Sequence, residues 1–223
     1  MNRSKPLTLP VFGIARHRLT TDGVGVSTLV GAYGCPLKCR FCLNPHAWNP
    51  ETLKGCRHYT PEALFDVLKI DDLYFQATGG GVTFGGGESL LHTPFIRDFR
   101  KICEEHLSGE HSSGEPAYCW KITAETSLNV SGELLDMAIL CVDDFIIDIK
   151  DMNPDIYREY TGSDNARVLS NLTHILEKKG PQHLFIRVPQ IPEYQKKEDV
   201  ISSVEKLKNM GFTNIEVFPY IKK

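Results

Sequence analysis

The sequence has no apolar run approaching the roughly 18 residues of a membrane span, which argues against a transmembrane helix. It also lacks an excess of positive charge: 25 Lys and Arg stand against 28 Asp and Glu, for a net charge of −3. A protein that grips phosphate backbones needs a basic field, so a nucleic-acid partner is not expected. No low-complexity tract and no internal repeat interrupts the chain, which excludes a collagen-like or wholly disordered protein. The opening MNRSKPLTLPVFGIARHRL has neither an apolar core nor a small-residue cleavage site, so it does not read as a secretory leader. These absences together predict a soluble, cytoplasmic protein with no membrane partner.

What is present is an ordinary globular composition, with 41% hydrophobic and 24% charged residues in 223. The length suits one domain, and residues 1–223 are read as such, with 1–24 as a lead-in packing across one end of a sheet. Short β-rich segments alternate with helical ones. Strands are expected at 26–33, 82–84, 120–124, 145–149, 184–188 and 215–218. Helices are expected at 61–68, 92–107, 131–140, 153–160, 166–178 and 198–210, the first with Thr60 as its cap and Pro61 behind it. Residues 108–117, SGEHSSGEPA, read as a surface loop. Six strands alternating with helices is the pattern of a parallel sheet with crossover helices, an α/β fold.

Seven cysteines is an odd number, and three of them, Cys35, Cys39 and Cys42, fall within eight residues. A secreted disulfide framework has an even count in a much shorter chain. The spacing C-x-x-x-C-x-x-C lets three thiolates converge on one inorganic group. Iron–sulfur clusters are commonly held by four thiolates; three leave one iron of a [4Fe–4S] cluster open to a small molecule. The rival reading is zinc, with His46 completing a Cys₃His tetrahedron. Cys56, Cys103, Cys119 and Cys141 are scattered and read as structural thiols, and the other histidines show no ligand spacing.

Several segments in order carry a resemblance. The triplet has Phe41 before its last cysteine. Asp22-Gly23-Val24-Gly25 precedes it, and Asn44-Pro45-His46-Ala47-Trp48 follows. Then come Gly80-Gly81-Val82-Thr83-Phe84-Gly85-Gly86-Gly87-Glu88, Asp148-Ile149-Lys150-Asp151-Met152, Ile186-Arg187-Val188-Pro189 and Phe218-Pro219-Tyr220. The chain thereby resembles the radical S-adenosylmethionine (SAM) superfamily, and within it the activating enzymes of glycyl radical enzymes. Departures from the family's motifs include Val24 in place of Pro, Leu43 after the last cysteine, Gly85 in place of Ser, Ser89 after Glu88, Glu193 after the Ile-Pro pair and Ile221 after Pro-Tyr.

The resemblance implies a partial (β/α)₆ TIM-like barrel with a [4Fe–4S] cluster on Cys35, Cys39 and Cys42, and with Phe41 beside it. It implies that Gly86, Gly87 and Glu88 meet the SAM amino group. Glu125, Thr126 and Ser127 would lie near the methionine and ribose, Lys150 near the SAM carboxylate, and Asp148 near a monovalent cation. Arg187 lies inside an apolar strand, where an unpaired charge is costly, so it is expected to meet a carboxylate, Glu125 or a ligand's. The implied activity is reductive cleavage of SAM to a 5′-deoxyadenosyl radical, under anaerobic conditions, with an electron from flavodoxin or ferredoxin. The radical would take hydrogen from a backbone glycine of a partner enzyme, and no residue here need serve as a catalytic acid or base. Direct action on a small molecule or peptide is the alternative within the superfamily. A non-catalytic zinc- or cluster-binding module is the alternative outside it.

Overall fold

The computed structural model describes residues 6–19, 21–107 and 118–220; the expected loop at 108–117 lies outside them. In chain order the elements are β1 (Leu9–Arg18), β2 (Ser27–Ala32), α1 (Pro50–Gly55), β3 (Arg57–Tyr59), α2 (Pro61–Leu68), α3 (Asp72–Thr78), β4 (Gly81–Gly86) and α4 (Thr93–Leu107). There follow β5 (Lys121–Thr126), α5 (Gly132–Cys141), β6 (Asp144–Asp148), α6 (Pro154–Thr161), α7 (Ala166–Lys179), β7 (Leu184–Gln190), α8 (Lys197–Met210) and β8 (Asn214–Pro219).

All eight strands form one sheet in the order β3-β1-β2-β4-β5-β6-β7-β8. The six expected strands are β2 and β4 to β8, and each pairs with the next in parallel. The outer strands β8 and β3 do not pair, so the sheet is an open, partial barrel. The chain is an α/β protein, as the alternation predicts.

The lead-in reading needs correction. Residues 9–18 do not pack across an end of the sheet; they form β1, antiparallel to β2, and β3 pairs antiparallel to β1 on its far side. Parallel strands are buried on both faces and read as apolar runs, which is why Phe145-Ile146-Ile147 of β6 is legible. The helices cover the outer face. Between them and the sheet lies an aromatic core in which Trp120 stacks on Phe65 at 4.9 Å and meets Phe75 edge-on at 5.2 Å, while Phe84 meets Phe99 at 5.4 Å. The Trp120 indole also donates to Asp72 Oδ1 at 2.6 Å, so its one polar atom is satisfied.

Residue pairs Ala32↔Gly86, Thr126↔Ile147, Asp148↔Arg187 and Gln190↔Pro219 mark the C-terminal ends of neighbouring strands. In parallel α/β barrels this is the end where loops assemble a site.

Candidate cluster and cofactor site

The cysteine loop leaves β2 through Gly34, whose φ of +117° is a conformation that other residues rarely adopt. Its start is tied on two sides: Gly34 N–H donates to Ala47 O at 2.7 Å, and Gly34 O accepts from Glu88 N–H at 2.8 Å. The second tie needs the end of β4 to come very close. A Cβ on Gly87 would sit 2.2 Å from Gly34 O, so the glycine is what permits the approach. Farther along, the loop lies on the end of α6. Lys38 N–H donates to Thr161 O at 3.3 Å and Arg40 N–H to Tyr160 O at 3.0 Å, satisfying carbonyls that a helix C-terminus leaves open. Leu37 is buried beneath the loop.

A cavity of about 560 Å³ opens at this end of the sheet. All thirteen residues singled out in the sequence line it: Cys35, Cys39, Phe41, Cys42, Gly86, Gly87, Glu88, Glu125, Thr126, Ser127, Asp148, Lys150 and Arg187. They come from the β2 loop, β4, β5, β6 and β7, so the fold brings together what the chain separates by up to 152 positions, from Cys35 to Arg187.

The three cysteines are free thiols. Burial pushes the Cys35 thiol up to about 12, with Leu37 N–H drawing it back. Burial also raises Cys39, opposed by the nearby Lys150 charge. Thiols desolvated in this way become thiolates when a metal supplies the missing positive charge. Among the described residues no three Cys, His, Asp or Glu side chains are grouped to hold a single ion. His46, the fourth ligand of the zinc reading, is exposed and does not line the cavity that the three cysteines share. A cluster spreads its thiolates over separate iron corners, and three thiols around one cavity fit that requirement.

Glu88 is fully buried, and its hydrogen bonds go to the protein. It accepts from Thr126 Oγ1 at 2.5 Å, Ser127 N–H at 2.8 Å, Ser127 Oγ at 2.6 Å and Leu90 N–H at 3.2 Å. Four donors match the four acceptor positions of a carboxylate. Burial nonetheless raises its pKa, against the pull of those bonds. Lys150 bonds to Asp148 Oδ2 at 2.8 Å. Burial opposes its charge, but Asp148 and the Cys39 thiolate overcome that and hold its pKa high.

Arg187 does meet Glu125, Nη1 to Oε1 at 3.5 Å, and Glu216 at 3.7 Å. Glu125 has a second partner with no sequence signal: Arg18, at the end of β1, reaches Oε1 at 3.5 Å and Asp22 Oδ1 at 2.7 Å. The latter is an ion contact off the N–H axis, since that Asp22 oxygen makes no hydrogen bond. Burial raises the Glu125 pKa, with Arg18 pulling it down. Gly85 makes the room: a Cβ there would lie 2.3 Å from Glu125 Oε2. Tyr160, which sequence reasoning missed, and Tyr220, which it noted only as part of a motif, are further cavity residues. Both hydroxyls donate to Phe41 O, that of Tyr160 at 3.1 Å. Their rings flank the Phe41 ring at 6.5 and 6.3 Å, with Tyr194 at 5.7 Å.

Comparison with known proteins gives three findings. A family model described as "Radical SAM superfamily" matches residues 29–221. The chain is similar to pyruvate formate-lyase-activating enzymes: 32% identical over 89% of its length to that of Clostridium pasteurianum, and 29% over 90% to that of Listeria monocytogenes, spanning 77% of each. Among solved structures, Streptococcus suis SuiB bound to S-adenosylmethionine superposes with a TM-score of 0.58 at 16% identity, over 85% of this chain and 37% of that one; this likeness concerns the fold alone.

Proposed function

Because the chain belongs to the radical SAM superfamily, we propose that it activates a glycyl radical enzyme by abstracting hydrogen from a backbone glycine. The observation that carries this reading is the convergence of three free cysteines and the Gly86-Gly87 backbone on one cavity. Similarity to pyruvate formate-lyase-activating enzymes over about nine-tenths of the chain supports the choice of target.

Cys35, Cys39 and Cys42 would hold a [4Fe–4S] cluster. When bound, that cluster and SAM supply the one-electron cleavage that gives methionine and a 5′-deoxyadenosyl radical. The chain's own part is to bind, orient and shield. Gly86 and Gly87 offer carbonyls without side chains to a SAM amino group. Glu88 acts one step back, because its carboxylate is engaged by Thr126, Ser127 and Leu90; it fixes the end of β4 to the end of β5. Lys150, held charged beside Asp148, suits the SAM carboxylate, and Asp148 is the residue assigned to a monovalent cation. Glu125, clamped by Arg18 and Arg187, fixes the depth to which a ligand can enter. Leu29, Leu37, Phe41, Ile146 and Phe218 give the cavity apolar walls that limit water. Lys38 and Arg40 are exposed on the loop and present positive charge to an acidic electron donor such as flavodoxin or ferredoxin.

The test is anaerobic purification followed by dithionite and SAM. The expected result is about four irons per chain, formation of 5′-deoxyadenosine, and its abolition in Cys39→Ala. Adding the partner should give a glycyl-radical doublet by electron paramagnetic resonance (EPR). Stoichiometric zinc without iron would replace the enzyme reading by a binding module. A modified small molecule or peptide with no glycyl radical would replace the target.

A further inference from the structure

The ladder between β6 and β7 ends just before Lys150: its last bond runs from Ile149 N–H to Arg187 O at 2.9 Å. Beyond that point the sheet no longer fixes the main chain, yet Lys150 is a residue whose side chain lines the cavity. Its carbonyl is taken up from another element. Gln195, in the turn between β7 and α8, donates from Nε2 to Lys150 O at 2.7 Å and to Asp151 Oδ2 at 2.8 Å, while its Oε1 accepts from Ile191 N–H at 2.7 Å. A carbonyl can only accept and a backbone amide can only donate, so these partners allow the carboxamide one orientation.

Both sides of this bridge are themselves held. Asp151 is 3% exposed, and its Oδ1 accepts from Asn153 N–H at 2.7 Å and from Ser203 Oγ of α8 at 3.3 Å. Ser203 Oγ in turn accepts from Met152 N–H at 3.1 Å. On the other side, Tyr194 packs edge-on against Phe41 at 5.7 Å and against Tyr160 at 5.3 Å. The turn is thus fixed against the cysteine loop on one side and the segment after β6 on the other. The Lys150 ammonium bonds to Asp148 Oδ2 at 2.8 Å, so its place is set by Asp148 at the tip and by the main chain at the root. Gln195 governs the root.

We propose that Gln195 is a positioning residue for SAM binding: by fixing the Lys150 main chain it holds the ammonium where the carboxylate of SAM meets it. The inference rests on the SAM reading made above. A glutamine that only closes a turn would serve every ligand of the cavity alike, whereas one that sets Lys150 serves a ligand's carboxylate alone. Coupling is also reciprocal: if the Gln195 bridge favours the bound carboxylate, the bound carboxylate must tighten the bridge.

The test uses the full chain, anaerobically reconstituted with iron and sulfide and kept oxidised so that SAM is not cleaved. Dissociation constants are measured by calorimetry for SAM and for decarboxylated SAM, which keeps the nucleoside, sulfonium and amine but has no carboxylate. Gln195→Met should weaken SAM by about tenfold and decarboxylated SAM by less than about twofold. The wild type gives an independent reading by hydrogen exchange: Ile191 N–H, whose acceptor is Gln195, should exchange more slowly with saturating SAM than with saturating decarboxylated SAM. That comparison decides the matter if Gln195→Met does not fold. Equal weakening of both ligands, no weakening of SAM, or equal exchange with the two ligands overturns the proposal and leaves the SAM reading intact. Failure of the reconstituted wild type to bind SAM overturns both.

Discussion

Glu88 and His92 show how single residues set up the site without entering it. Glu88→Gln exchanges one acceptor oxygen for an NH₂ group that faces a donor. Ser127 Oγ and Thr126 Oγ1 can turn to accept from it, but the Ser127 and Leu90 N–H groups stand over opposite oxygens, so either orientation of the amide leaves one donor unmatched. The expected loss is about 1–3 kcal/mol, read from urea unfolding, and a loss under about 0.5 kcal/mol would mean that the carboxylate is not the anchor described. His92 is buried with Nε2 2.7 Å from Tyr33 O, just before Gly34. Burial lowers its pKa from the ordinary 6.5, against the pull of the Tyr33 carbonyl. The folded state therefore keeps the ring neutral where the unfolded chain takes up a proton. Stability from this residue is complete above pH 6.5 and falls as the pH drops below it, by at most about 1.4 kcal/mol per pH unit. His92→Gln keeps an N–H for Tyr33 and loses the titration, so its urea midpoint should fall less than that of the wild type between about pH 7.5 and 5.5. Equal falls would exclude His92 as the source.

The cysteine loop and the edge strand β1 are the elements that decide what the site presents. The loop lies on α6 through Lys38 and Arg40 backbone bonds, which leaves both side chains facing out on either side of Cys39. Replacing both by Glu should slow reduction by an acidic donor protein and weaken its salt dependence. Reduction by dithionite should change much less; an equal effect on both reductants would mean that the loop was disturbed. The loop itself is legible in the sequence because its three cysteines fall within eight residues, and so are the buried parallel strands, whose apolar runs end in polar residues at the cavity. β1 is not legible as a strand. Its register shifts between Val11 and Gly13 and again between Ala15 and Arg18, which breaks the alternation of inward and outward residues, and its last turn of pattern is the charged Arg16-His17-Arg18. β3 has only three residues, too few for any period. Arg18 and Tyr160 were missed for a related reason: each reaches the cavity from a distant element, and nothing near it in sequence marks the destination; Tyr220 stands in a segment that carries the resemblance, but without a role at the cavity.

At the scale of the whole molecule, the open barrel is curled so that strands far apart in the sheet share one carboxylate. Between β1 and β7 stand β2, β4, β5 and β6, yet Arg18 of β1 and Arg187 of β7 both lie 3.5 Å from Glu125 Oε1. Arg187 also donates to Thr21 O in the segment after β1, which ties the two sides of the curl across its hollow. A flat sheet could not make these contacts, so they report the curvature itself. The side chains of Arg18, Glu125 and Arg187 are each 23% exposed, which limits screening but does not remove it. Leaving one charge of a buried network without its partner is more damaging than removing both. Glu125→Gln combined with Arg187→Met should therefore destabilise less than the sum of the two single changes, with a coupling energy between about 0.5 and 3 kcal/mol in urea unfolding. The lower half of that range is expected, because both contacts are long. Arg18→Met should couple to Glu125→Gln in the same sense despite lying four strands from Arg187. If Arg18 and Arg187 each behaved additively with Glu125, within about 0.3 kcal/mol, the carboxylate would not be joining the two sides of the sheet, and the curl would have to be held by helix packing alone.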